Sequence, residues 1–155
     1  MKYKKAIEYL DKAFSKLPEG VELTKGGIGE LALANHLGHT LVDGDKNADA
    51  YLGELEYEYK ISHTDQFNFN FGTRQMQNGM EWQEKISTKV SKWEGAYCAR
   101  VIGVTVEEVA YIDSTTLLDY LLEHFSKTKG QLLVKNFSMK AFKALKNSSW
   151  HSVKI

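Results

Sequence analysis

Residues 47–60, Asn-Ala-Asp-Ala-Tyr-Leu-Gly-Glu-Leu-Glu-Tyr-Glu-Tyr-Lys, constrain the fold more than any other part of this chain. Gly53-Glu54 divides them into two strands, and glycine at the first turn position suits a type II′ hairpin. In a two-residue hairpin the numbers of paired residues sum to a constant. Leu52 therefore faces Leu55, Tyr51 faces Glu56, Ala50 faces Tyr57, and Asp49 falls directly opposite Glu58. Side chains alternate along strands, so Asp49, Glu56, Glu58 and Lys60 share one face, while Leu52, Leu55, Tyr57, Tyr59 and Ile61 share the other. A sheet with such an apolar face packs on helices. Two facing carboxylates with a lysine one step away are the set that a divalent metal and a hydrolytic water require.

The rest of the chain supplies those helices. Tyr3, Ile7, Leu10, Phe14 and Leu17 step by four and three, which predicts one apolar stripe on a first helix ended by Pro18-Glu19-Gly20. A second helix is expected over about 26–37, with Gly38 as its stop. A short strand over 39–42 and a turn-rich loop over 43–47 lead into the hairpin. Gln66-Phe67-Asn68-Phe69-Asn70-Phe71 alternates with period two and reads as a strand. A helix follows over about 79–93, with Trp82, Ile86, Val90 and Trp93 on one side. Strands over 96–104 and 107–112 come next, then a helix over 115–125 capped by Asp113 or Ser114. A short strand over 132–134 and a closing helix over 138–145 complete an α/β sandwich of mixed sheet.

At 155 residues the chain makes one domain, with a core over about 24–126 and a basic C-terminal strand and helix over 127–155. No apolar run reaches membrane-spanning length, so no membrane partner is expected. A single cysteine, Cys98, excludes an internal disulfide framework or a cysteine-based zinc site, and fits a soluble, cytoplasmic protein. Net charge is zero, which argues against indiscriminate nucleic-acid binding, but its distribution is uneven. No acid follows Glu123, whereas Lys127, Lys129, Lys135, Lys140, Lys143, Lys146 and Lys154 do. Asp43, Asp45, Asp49, Glu54, Glu56 and Glu58 crowd one short region. A basic tail beside an acidic centre suits a polyanionic substrate held near a cation; solvated helix-face lysines are the equal alternative.

Asp49 in Asn-Ala-Asp-Ala, then Glu58 and Lys60 in Glu-Tyr-Lys-Ile-Ser, resembles the PD-(D/E)xK nuclease superfamily, which includes many type II restriction endonucleases and Holliday-junction resolvases. Gly29-Glu30-Leu31-Ala32 resembles the superfamily's N-terminal helix, whose glutamate often joins the metal shell. The resemblance runs from about 26 to 62 and departs at Ala48, where many members carry proline. It implies a restriction-endonuclease-like mixed sheet flanked by helices, and a Mg²⁺-dependent endonuclease in which Mn²⁺ could substitute. The implied metal ligands are Asp49, Glu58 and the Tyr59 carbonyl, with Glu30 serving a second metal or a metal-bound water. Lys60 is implied to orient the attacking water and to stabilise charge at phosphorus. A single site per chain cutting a duplex implies a homodimer or a partner subunit.

A bare acid-acid-lysine pattern also occurs on solvated hairpin faces. The register, the Glu30 helix and the apolar opposite face weigh against that reading. Gln66, Asn68, Asn70, Arg74 and Gln75, with Gln77 and Asn78, are side chains that read base edges, and they are candidate DNA contacts beside a polar edge strand as the alternative. His63 is a weaker phosphate-contact candidate. Glu56 is read as solvated, Asp43 and Asp45 as turn residues, His36 and His39 as helix-end or surface residues, and Cys98 as buried and inert. A structure-specific nuclease acting on branched DNA, and a non-catalytic nucleic-acid-binding module on the same fold, are the remaining alternatives.

Overall fold

The hairpin forms in the register that its turn dictates: Ala50 pairs with Tyr57, Tyr51 with Glu56 and Leu52 with Leu55. Gly53 has φ 61°, and Glu54 is not among the positive-φ residues, as a type II′ turn demands. The computed structural model describes residues 3–19, 21, 24–42 and 48–145, and the backbone of 151–154. The expected loop over 43–47, with Asp43 and Asp45, lies outside the described residues.

Helices α1 (Lys4–Phe14) and α2 (Lys25–Leu37) come first, then strands β1 (Thr40–Leu41), β2 (Ala50–Leu52), β3 (Leu55–Ser62) and β4 (Gln66–Thr73). After α3 (Trp82–Val90) come β5 (Gly95–Ile102), β6 (Thr105–Asp113) and α4 (Ser114–Lys127). β7 (Leu132–Ser138), α5 (Met139–Lys143) and β8 (His151–Lys154) close the chain. The main sheet has the order β1-β2-β3-β5-β6-β8, with β3 and β5 parallel and the other neighbours antiparallel. The fold is therefore mixed α/β.

β4 does not join that sheet. It pairs antiparallel with β7 in a separate two-stranded ribbon, Asn68 opposite Asn136 and Phe67 opposite Phe137. Its period-two pattern predicts the strand but carries no information about which strand pairs with it. β7 also runs on to Ser138, past the expected end at 134, because Ser138 itself caps α5 by accepting from the Ala141 N–H.

Other ends follow from local chemistry. Asp113 caps α4 by accepting from the Thr116 N–H, and Gly38 ends α2 in the left-handed region at φ 71°. Thr24 caps α2, a signal visible in Thr-x-x-Gly but not anticipated. α1 stops at Phe14, short of Leu17. α3 starts at Trp82 rather than 79 because Asn78 and Gly79 both take positive φ in a tight turn closed by Gln77 and Met80.

The sheet is covered on both faces, which is why β5 is buried along most of its length. On one face, Leu33 and Ala34 of α2 pack on Ala50, Tyr57, Tyr59, Ala99, Val101, Val106 and Val109. On the other, Ala96, Cys98, Ala110 and Ile112 meet α3, α4, α5 and the inner side of the β4–β7 ribbon. Leu133, Phe137, Met139, Phe142 and Leu145 all belong to that second cluster, so the basic segment after Lys127 is built into the core rather than appended to it. Among the described residues no helix is long and apolar enough to cross a membrane.

Candidate active site

Glu58 and Lys60 stand on β3, on the sheet face that carries Ala96 and Cys98, their partners on β5. That face is otherwise apolar, and Glu58 is only 8% exposed, buried like Thr116 and no other polar side chain among the described residues. The solvated-hairpin reading fails for this residue. It holds for Glu56, which is exposed one step nearer the turn. The Lys60 ammonium lies 3.0 Å from a Glu58 carboxylate oxygen and over the Phe69 ring, with its centroid at 5.2 Å.

Asp49 immediately precedes β2. Its N–H donates to the Tyr57 carbonyl at 3.0 Å, and its Oδ2 accepts from the Tyr59 N–H at 2.8 Å. The carboxylate is thus pinned to the backbone between Glu58 and Lys60. Burial pushes the Glu58 carboxyl up to about 7; the Lys60 charge opposes the rise, the Asp49 charge adds to it, and Lys89 of α3 also opposes it. Sequence reasoning missed Lys89, because the side of α3 that meets the site depends on how the helix docks.

Glu30 reaches the same centre from α2. Its carboxyl is pushed up to about 6, first by burial and then by the Asp49 charge, with Lys60 opposing. Gly29 makes this approach possible: a Cβ there would stand 2.4 Å from Ile61 Cγ2. The helix rests directly on β3, so the next residue is delivered to the carboxylate pair. The sequence Gly-Glu thus works as a unit.

No protein-family model matches this chain, and no curated protein does. Burial, with the Asp49 charge beside it, raises the proton affinity of both Glu30 and Glu58 against the pull of Lys60, and shifted carboxyls of this kind gather where function demands them. Among the described residues, no three His, Cys, Asp or Glu side chains converge as a closed metal cage. A hard cation such as Mg²⁺ needs only one or two carboxylates and keeps several waters, so the donor set of Asp49 and Glu58 fits it.

The structure disperses the remaining candidates. Arg74 is committed to the protein: its guanidinium donates to the Gly130 carbonyl at 2.5 Å and to the Thr128 carbonyl at 3.0 Å, and it lies over Trp82. Gln66, Asn68 and Asn70 point outward from the ribbon, Asn68 donating to Asn136 Oδ1 at 2.7 Å and Asn70 accepting from the Gly72 N–H at 2.9 Å. Gln75 and Gln77 are exposed, and Asn78 serves its turn. His63 lines an apolar cleft of about 630 Å³ between the start of α2 and the β5–β6 turn, a space lined by none of Asp49, Glu58 and Lys60. His39 is structural, with Nδ1 2.7 Å from the Tyr59 hydroxyl and its ring stacked on Tyr57. Cys98 is fully buried, and burial pushes its thiol well up, so it is inert as expected.

Proposed function

We propose that this chain is a Mg²⁺-dependent endodeoxyribonuclease that hydrolyses phosphodiester bonds, similar to the PD-(D/E)xK nucleases and, within them, to small type II restriction enzymes. One observation carries the reading. Asp49, Glu58 and Lys60, spaced as that motif requires, meet midway along β3 with Glu58 buried and Glu30 drawn in from α2. A charged pair set into an apolar sheet face is costly to the fold and is retained where chemistry needs it.

Asp49 and Glu58 would hold the cation. When bound, Mg²⁺ offsets negative charge at the scissile phosphate and acidifies a water. The Asp49–Tyr59 hydrogen bond fixes one carboxylate before any ligand arrives, which reduces the reorganisation needed at the reacting phosphate. Lys60, 3.0 Å from Glu58, would donate hydrogen bonds to the attacking water and to a non-bridging phosphate oxygen. There it stabilises the charge that develops as one P–O bond forms and another breaks. Glu30 positions a water at the edge of the centre. The outward amides Gln66, Asn68 and Asn70 of the β4–β7 ribbon are the base-reading candidates.

Incubation with mixed-sequence duplex DNA and with a four-way junction, in Mg²⁺ and in EDTA, tests the reading. Cleavage of duplex in Mg²⁺ alone is expected, with Mn²⁺ substituting. No cleavage of either substrate in any divalent cation would overturn it. Cleavage confined to the junction would instead favour a structure-specific nuclease.

A further inference from the structure

Helix α1 carries its apolar stripe on the outside of the molecule. Every residue of α1 is exposed and none is buried; Ile7 is 62% and Phe14 60% exposed, with Leu10 between them. Large apolar side chains in line along an amphipathic helix mark a surface that is covered by something else.

The stripe has the four-three alternation of a coiled-coil seam, with Tyr3 and Leu10 at one seam position and Ile7 and Phe14 at the other. Two copies of α1 laid antiparallel about a two-fold axis put Ile7 against the partner's Leu10, and Phe14 against the partner's Tyr3. The flanks then decide the occupant. On one side of the seam, Lys4 falls beside the partner's Asp11, and the two-fold axis repeats this opposite-charge contact. On the other side, Ala6 falls beside the partner's Ala13, where small side chains let the backbones approach. Among the described residues neither Lys4 nor Asp11 has an ion-pair partner within its own chain. A membrane surface matches less well, because Glu8 and Asp11 interrupt the lysines of the polar face.

From this self-complementarity we infer that α1 is a homodimer interface, in which a second copy of this chain covers the Ile7–Leu10–Phe14 stripe through antiparallel helix pairing. The inference is independent of the reaction the chain catalyses. Because no residue of α1 is buried among the described residues, substitutions there are expected to leave the fold intact, which a thermal melt by circular dichroism checks.

Sedimentation velocity of the full chain at micromolar concentration is the test. The wild type is expected to sediment as a dimer, and Ile7→Glu with Phe14→Glu as a monomer with an unchanged melt. Lys4→Glu places like charges across the seam and is expected to weaken dimerisation by about tenfold, while Lys4→Glu with Asp11→Lys restores it. A monomeric wild type, a dimer that survives the double glutamate substitution, or a charge swap that fails to rescue would each overturn the inference. So would wild-type protein that stays monomeric in solution and cosediments with phosphatidylserine-containing vesicles.

Discussion

The Tyr59 backbone N–H donates to Asp49 Oδ2 at 2.8 Å, so the aspartate is anchored to the peptide that links Glu58 to Lys60. Neither Glu58 nor Lys60 can shift along β3 without moving the donor of this bond. Main-chain geometry thus ties Asp49 to the segment of β3 that carries Glu58 and Lys60, and the Glu58–Lys60 ion pair completes the set.

Asp49→Asn keeps an oxygen for the Tyr59 N–H but removes a charge. It is expected to fold normally and to lose at least ~100-fold in Mg²⁺-dependent cleavage. Lys60→Ala is expected to lose as much. Its cost in stability stays small because Glu58, already pushed up to about 7, protonates once its partner is gone. Plasmid cleavage alongside thermal melts tests both; full activity in both variants would remove these residues from the mechanism.

Raised carboxyl pKa values set the sign of a pH effect. Glu58 at about 7 and Glu30 at about 6 bind protons more tightly in the folded chain than in the unfolded one. Their contribution to stability is fully present below the ordinary carboxylate range and is lost as pH rises through 6 to 7. A divalent cation held by Asp49 and Glu58 would favour the ionised carboxylates and so offset this loss. Mg²⁺ or Ca²⁺ is therefore expected to raise the melting temperature more at pH 8 than at pH 5, and an equal shift at both would contradict this.

Gly29→Ala forces a Cβ to within 2.4 Å of Ile61 Cγ2. Helix propensity favours alanine, but the clash is expected to win, with a net loss of about 1–3 kcal/mol in urea denaturation. Ile61→Ala removes the clashing methyl, so the double variant should lose less than the sum of the two single changes. Simple additivity would mean that α2 does not rest on β3 at this point.

Phe142→Ala tests whether the C-terminal segment belongs to the core. Phe142 is fully buried, stacked on Phe69 and edge-on to Phe137. A loss of about 3–5 kcal/mol is expected, as for other buried phenylalanines. A loss confined to surface values would make the segment after Lys127 an appendage.

Much of this was legible because it is local. The hairpin register follows from a two-residue turn and alternation, and both act within a dozen residues. The caps at Gly38 and Asp113 are likewise set by neighbouring peptides. β4 shows the boundary of such reasoning: its alternation revealed a strand, yet its pairing with β7 joins residues some seventy positions apart. Arg74 shows it again. Its side chain suits guanine, but contacts with Thr128, Gly130 and Trp82 occupy it.

By itself the sequence determined most of the elements, though not β8, and the faces of the hairpin, including which acids share a side, because backbone geometry fixes these at short range. Only the tertiary structure decided what that side meets. Parallel pairing with β5 buried Glu58 beside Ala96, the approach permitted by Gly29 brought Glu30 to the pair, and Lys89 arrived with α3. Proton affinity depends on burial and on the total field of nearby charges. Both are properties of chain segments that come together only on folding.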